Sequence, residues 1–395
     1  MVDRLAQRLQ AVPPTIFTRM SSLAARTGSL NLGQGYPDQD GPQGMLDVAS
    51  DAVLSGRNQY APGVGVPELR RAVARHQARC YGLELDPDTQ VLVTAGATEA
   101  VTAAVLALVD PGDEVVLVEP FYDSYPAAVA MAAGVRRTVA MRRTDAGFRL
   151  DTEQLRAVVS DRTRVLVLNT PHNPTGAVLD ADELAAVAEV ALRHDVVVVV
   201  DEVYEHLTYD GHRHVPLATL PGMADRTVSV SSAGKTFSCT GWKVGWVTGS
   251  PELVRTVLAA KQWLTFTNAA PLQPAVAHAL DHEAAYVEAL TDRLSSGRDL
   301  LVAGLSELGL DPVVPHGSYF TLGDVSGLGW DDAMDFCLAL PERAGVVAVP
   351  AGPFHDPAGD AHETGRRLVR WAFCKDRPVL EEALHRLAAA DLTPA

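Results

Sequence analysis

Lysine is scarce in this sequence. There are four, Lys235, Lys243, Lys261 and Lys375, against twenty-nine arginines, and two of the four lie eight residues apart in SSAGKTFSCTGWKVGW, residues 231–246. Lys235 follows the β-rich run TVSVS in a turn of small residues, where Gly234 lets a ligand approach the backbone closely. Other groups able to do chemistry stand just beyond short apolar runs. Thr94-Ala-Gly-Ala-Thr-Glu follows QVLV, Glu119-Pro-Phe-Tyr-Asp-Ser-Tyr follows EVVLV, and Asn169-Thr-Pro-His-Asn-Pro-Thr-Gly follows TRVLVL. Asp201-Glu-Val-Tyr follows five valines, and Arg370 lies inside RLVRWAFC. A carboxylate closing so apolar a run is costly to bury unless it is paired or hydrogen-bonded. A guanidinium can hold a carboxylate through two parallel bonds, although an arginine in a strand is usually solvated.

The elements that must carry these residues follow from periodicity. From Gln90 the chain repeats strand, turn, helix, with strands predicted to end at Glu119, Asn169 and Asp201 and an apolar-periodic helix at 180–193 between two of them. That rhythm predicts an α/β fold with a mainly parallel sheet covered on both faces, and ligands in such sheets bind beyond the carboxyl ends of the strands. Before it come a short helix, a break at Pro13-Pro14, a helix over 17–25, the irregular Gly/Pro-rich stretch NLGQGYPDQD, and helices over 42–54 and 67–81. After it come a helix over 251–264, a long helical stretch over 272–308, mixed short elements, a last strand RLVRWAFC and a closing helix over 378–390. The expected division is an N-terminal arm with part of a small domain (1–46), a large domain (47–284) and the rest of the small domain (285–395).

Three readings compete for Lys235. A Walker-type phosphate loop needs glycine at position 229, which is serine. A surface loop is the ordinary fate of a lone lysine. The third reading is an amine that condenses with the aldehyde of pyridoxal 5′-phosphate (PLP). Similarly, Ala97 and Thr98 open a helix whose free N–H groups suit a phosphate, or merely form an ordinary N-terminus. The local sequence leaves these alternatives open.

Taken together, from about Phe17 to Lys375, the motifs resemble those of fold-type I PLP-dependent aminotransferases. The similar branch holds the kynurenine/glutamine aminotransferases and the actinobacterial N-succinyldiaminopimelate aminotransferases. The resemblance implies PLP as cofactor, held covalently by Lys235. It implies Tyr122 stacked on the ring, Asp201 on the ring nitrogen, and Asn173 and Tyr204 on the ring 3-oxygen. Ala97, Thr98, Ser232 and Lys243 would hold the phosphate. Arg370, Gly35 and Asn173 would hold the substrate carboxylate, with Phe17 lining the pocket. Phe121 is expected to be packing and His172 structural. Tyr60 would reach the phosphate of a neighbouring subunit and Phe266 would also cross over, which implies a homodimer with shared sites. Two half-reactions on one site imply ping-pong transfer of an amino group from an amino acid to a 2-oxo acid. WLTFTNAAP, residues 263–271, is most similar to the N-succinyldiaminopimelate enzymes, and Thr267 stands where kynurenine enzymes usually carry histidine.

Composition narrows the classes. The chain has 395 residues, 47% hydrophobic and 21% charged, as in ordinary globular proteins, and a net charge of −16 without a basic run. Nucleic acid and anionic membranes are therefore not expected as partners. Four scattered cysteines without C-x-x-C spacing suggest reduced thiols and no metal site. MVDRLAQRLQ lacks the pattern of a signal peptide, and the longest aliphatic run, 196–200, is too short to span a bilayer, so a cytoplasmic enzyme is expected. The alternatives are a broad-specificity kynurenine, glutamine or methionine aminotransferase with β-lyase activity on cysteine conjugates, and the ligand-sensing module of a transcription regulator. The second would need an N-terminal DNA-binding domain, and fewer than twenty residues precede the matching region.

Overall fold

The computed structural model describes residues 6–10, 12–359 and 361–394. Its strands, in chain order, are β1 (Leu30–Asn31), β2 (Val91–Thr94), β3 (Glu114–Glu119), β4 (Val135–Thr144), β5 (Gly147–Leu150), β6 (Thr163–Asn169), β7 (Val197–Asp201), β8 (Thr227–Ser232), β9 (Gly245–Thr248), β10 (Phe320–Asp324), β11 (Val346–Val347), β12 (Val349–Pro350) and β13 (Leu368–Ala372). Eight of them form one sheet in the order β2-β9-β8-β7-β6-β3-β4-β5. β3, β4, β6, β7 and β8 run parallel, and β9 is antiparallel to both β2 and β8, so β2 shares their direction. The strand ends named by the sequence therefore open on one edge of the sheet.

The valine run of β7 shows why the sheet must be covered twice. Val198 and Val200 pack into one apolar cluster with Leu166 and Leu168, whereas Val199 packs into another with Val165, Val167 and Val230. Alternate residues of a strand face opposite sides, so a run apolar at every position belongs between two layers of helices. Local signals set the helix ends. Asp180 and Glu183 form a reciprocal capping box before helix Ala181–Arg193. Pro67 starts Pro67–Tyr81, which stops at Gly82 in the left-handed conformation.

The sequence-based elements and the observed ones differ in three places. The helical stretch expected over 272–308 is two helices, Gln273–His282 and Ala284–Glu307, because Glu283 leaves helical backbone angles at φ −107°, ψ 33°. β4, β5 and β9 went unread: β4 is rich in charge and lies near an open edge, and β9 is only four residues long. Of the short N-terminal helix, Gln7–Leu9 form a 3₁₀ turn, while residues 1–5 fall outside the described residues.

A smaller antiparallel sheet, β10-β13-β12, places Arg370 on its middle strand. β1 pairs in parallel with β11, which ties the N-terminal segment to the C-terminal part of the chain. The irregular loop after β1 is fastened to β13 and the residues after it. Ala372 N–H donates to the Leu32 carbonyl at 2.7 Å, and the Lys375 ammonium donates to the Tyr36 carbonyl and to Asp38, each at 2.9 Å. Among the described residues no helix is long and apolar enough to cross a membrane.

β9 meets the start of helix Gly96–Leu108 at Gly245. A Cβ there would lie 2.8 Å from the Gly96 backbone and 2.9 Å from the Ser231 carbonyl, both fixed in place. Gly245→Ala is therefore expected to destabilise the protein by about 1–3 kcal/mol, measurable as a lower urea midpoint with an unchanged slope.

Candidate active site

A cavity of about 320 Å³ opens at the carboxyl edge of the large sheet. Lys235, Ala97, Thr98, Tyr122, Asn173, Asp201, Tyr204, Ser232, Lys243, Gly35, Arg370 and Phe17 all line it. Tyr60 and Phe266 do not. They lie together elsewhere, 84% and 56% exposed, with ring centroids 5.6 Å apart.

One wall is the start of helix Gly96–Leu108. Gly96 has φ +75°, and a Cβ built on it would come within 3.2 Å of the Lys243 ammonium, so the lysine reaches over a backbone that only glycine leaves open. Lys243 itself has left-handed backbone angles (φ 52°) after the turn Thr240–Trp242. Asn268 holds this corner by donating at 3.1 Å to the carbonyls of both Thr94 and Lys243. With Ser232 and the unpaired amides of the helix start beside it, this wall offers a cation and several donors to an anion.

Another wall is anionic. Asp201 is buried, and burial pushes its carboxyl above the usual range. Two donors oppose that shift: the Tyr125 hydroxyl donates to Oδ2 at 2.7 Å and Val203 N–H donates to Oδ1 at 3.2 Å. Asn169, at the end of β6, donates to the Asp201 carbonyl at 2.8 Å and accepts from Asn173 N–H at 2.7 Å, so two strand ends are locked in register.

Arg370 is buried, not solvated. Its Nη1 donates to Asn173 Oδ1 at 3.1 Å and its Nη2 to the Gly33 carbonyl at 2.6 Å. The guanidinium carbon lies 4.0 Å from the ring centroid of Phe320 and 4.6 Å from that of Phe17, contacts that stabilise a cation shielded from water. Burial lowers its pKa to about 10, which still leaves it charged at neutral pH. With Oδ1 of Asn173 committed to Arg370, its amide nitrogen is the end available to donate.

The Lys235 amine donates to the Tyr319 hydroxyl at 2.8 Å and lies 3.4 Å from the Gly35 carbonyl. Tyr319 in turn donates to Gly35 at 2.5 Å. Burial lowers the lysine to about 8. Phe17 sits beside Tyr122, ring centroids 6.0 Å apart, on a helix whose first turn is capped by Thr15. His172 is buried against Thr175 at 2.8 Å, and Phe121 packs in the core below the cavity. Tyr125, Tyr319 and Asn268 escaped the sequence reading. Nothing beside them in the chain marks a role, because the partners of all three are distant: Asp201 for Tyr125, Gly35 and Lys235 for Tyr319, and Thr94 for Asn268.

The donor set fits PLP: a phosphate-accepting helix start with Lys243, a buried carboxylate for a ring N–H, and a neutralisable amine for an aldehyde, all on one cavity. Similarity to known proteins agrees with the geometry. The family described as aminotransferase class I and II matches residues 27–387. The solved structure of N-succinyldiaminopimelate aminotransferase from Mycobacterium tuberculosis is similar at a TM-score of 0.95 and 53% identity, over 98% of this chain and 99% of that one. The methionine aminotransferase of Escherichia coli is 39% identical over 96% of this chain and 97% of its own. Kynurenine–oxoglutarate transaminase 3 of Rattus norvegicus is 36% identical over 96% and 88%.

Removing the Tyr125 hydroxyl tests the anionic wall. The native pKa of Asp201 is raised, so its protonated form favours folding. That contribution is present below the unfolded pKa and is lost as pH rises through the folded one. Tyr125→Phe takes away a donor that opposes the raise, which moves the folded pKa further up. The cofactor-free variant is expected to lose about 1.5–3 kcal/mol where Asp201 is ionised, and less at acidic pH. Urea unfolding at pH 5 and pH 8 measures the difference, and equal losses at both would count against the assignment.

Proposed function

Because this chain belongs to the class I and II aminotransferases, we propose that it transfers the amino group of N-succinyl-LL-2,6-diaminopimelate to 2-oxoglutarate. It is a PLP-dependent aminotransferase of fold type I. The choice of donor rests on one observation, the 53% identity along essentially the full length of both chains with an enzyme of that name.

Lys243, Ser232, Thr98 and the amide of Ala97 would hold the cofactor phosphate, with Tyr60 of a second copy completing it. Tyr122 would pack on the ring. Asp201 would keep the ring nitrogen protonated, and Tyr204 and Asn173 would donate to the ring 3-oxygen. When bound, PLP supplies the electron sink that makes the Cα–H bond of an amino acid acidic. The rest of the work falls to the chain. Arg370 and the Gly35 backbone orient the substrate carboxylate and so fix the direction of the Cα–H bond, and Phe17 closes the pocket over it. Lys235 takes the Cα proton and returns it two atoms further along, to the carbon on the far side of the substrate nitrogen. An amine that titrates at about 8 has a useful neutral fraction near neutral pH, which an ordinary lysine lacks.

The reading includes a homodimer. Tyr60, Trp263, Leu264 and Phe266 are exposed apolar side chains. Lys261 holds their loop from beneath, donating to Gly63 at 2.9 Å and to Phe266 at 2.8 Å. A cytoplasmic setting would keep the four free thiols reduced. A second reading, a broad-specificity enzyme for kynurenine, glutamine or methionine with β-lyase activity, draws support from the aromatic lining of Phe17, Tyr36, Tyr122 and Phe320.

Absorbance titration of the PLP form with single donors separates the two readings. A response at micromolar succinylated donor, with kynurenine, glutamine and methionine far weaker, is the expected result, and the reverse ranking would overturn the first reading. Lys235→Ala should lower the half-reaction rate by at least about 10²–10⁴-fold without loss of fold. In the cofactor-free protein the rate at which the Lys235 amine captures added PLP should rise with pH through about 8, because only the neutral amine attacks the aldehyde. Arg370→Lys should raise KM for every donor, since an ammonium cannot make the paired bonds of a guanidinium.

A further inference from the structure

A second cavity, of about 190 Å³, opens beside the turn that follows Asp201, and His76, Arg79, Cys80, His206, Phe237 and Glu288 are among its lining residues. On its wall the Nε2 atoms of His76 and His206 face each other at 2.8 Å. The carboxylate of Glu205 completes a group whose three ligand atoms all lie within 4.8 Å of one another. We propose that His76, Glu205 and His206 form a binding site for a divalent transition cation of the zinc type, separate from the cavity that holds Lys235.

The chemistry of the three groups supports this. Two imidazole nitrogens can face each other so closely only with a proton or a cation between them. His76 is buried, which disfavours a charged imidazolium, so its ring can offer a lone pair. Among the described residues its Nδ1 has no hydrogen-bond partner, so no acceptor locks its tautomer and Nε2 is free to act as a ligand. Glu205 is buried, and its carboxyl accepts from two donors, the Ser231 hydroxyl at 2.5 Å and the Tyr81 hydroxyl at 2.7 Å. These also fix its orientation, as outer partners do for metal-binding carboxylates. Two neutral imidazoles and one carboxylate make a set that suits zinc, cobalt or nickel better than magnesium or calcium. Tetrahedral bonds of about 2.0–2.1 Å would set the nitrogens roughly 3.3 Å apart. The pair must therefore open by about half an ångström, for which the adjoining cavity leaves room, and the cavity leaves the fourth position to water. Arg79 lines the same cavity and opposes a cation there, but its guanidinium is turned to the Leu280 carbonyl at 2.7 Å, and the cavity is also lined by the acidic Glu288.

His76 sits on helix Pro67–Tyr81, and Glu205 and His206 follow Tyr204. A bound cation would therefore pin that helix to the turn that follows Asp201. Titration calorimetry of zinc chloride into chelator-treated, PLP-loaded enzyme tests the site. One equivalent per chain is expected. His206→Gln and His76→Gln should each weaken it by more than the roughly 10–100-fold that loss of an outer partner costs. His278→Gln is the control, because His278, His282 and Glu283 form a separate, more open group. Cobalt(II) added to the unmutated enzyme should give visible d–d bands of four-coordinate intensity, a readout that survives even if the variants fail to fold. The proposal is overturned by an absence of stoichiometric uptake, by binding that persists in both His76 and His206 variants, by binding lost in His278→Gln, or by a cobalt spectrum of the hexaaqua type.

Discussion

Asp201 ends a strand of valines with its carboxylate out of water, and a charge in that position has to be met by donors fixed in advance. Tyr125 reaches it from the helix after β3, Val203 from the turn immediately beyond, and Asn169 anchors the backbone of the same residue from the neighbouring strand. Each comes from a different strand end, so the carboxylate can be held only if β3, β6 and β7 keep their register. The apolar layers on both faces of the sheet enforce that register. The parallel topology and the chemistry are thus two consequences of one constraint.

Two cations answer that anion from other directions. Lys235 arrives on the short turn after β8, and its ammonium is depressed by burial although Asp201 pulls the other way. Arg370 arrives on the middle strand of the small sheet, and its guanidinium bridges Gly33 in the N-terminal loop and Asn173 in the loop after β6 of the large sheet. The irregular loop over 31–40 is held because Arg370, Lys375 and Ala372 each satisfy one of its carbonyls. A segment without regular structure still meets its backbone needs in this way.

Legibility followed the range of the interactions involved. Asp201 and Lys235 stood out because their own neighbours, five valines and a run of small residues, make them anomalous. The parallel sheet was legible for the same reason: apolar runs alternating with helices are local signals. Arg370 was not legible as a buried group, because what buries it are rings from positions 17, 320 and 354, far away in the chain. Tyr125 and Tyr319 failed for a related reason, since the acceptors of their hydroxyls, Asp201 and Gly35, lie far away in the chain. The break at Glu283 left no proline or glycine behind, and β4 carries too many arginines to look like a strand, although its place near an open edge tolerates them.

The state of Arg370 explains why a site of this kind can discriminate by orientation and not by charge alone. Removing a guanidinium from water is expensive, and here the three aromatic faces and two carbonyl-type acceptors meet that cost during folding. Among the described residues its Nε has no partner, and Nη1 and Nη2 have one each, so donors remain for an incoming carboxylate. A carboxylate bound there would meet a cation that is already dehydrated and already aimed, with little reorganisation left for the moment of binding. An arginine on a solvated strand would offer the same charge without that direction. Under the proposed function, the burial of Arg370, more than its presence, would turn a carboxylate contact into control over which bond at Cα faces the lysine.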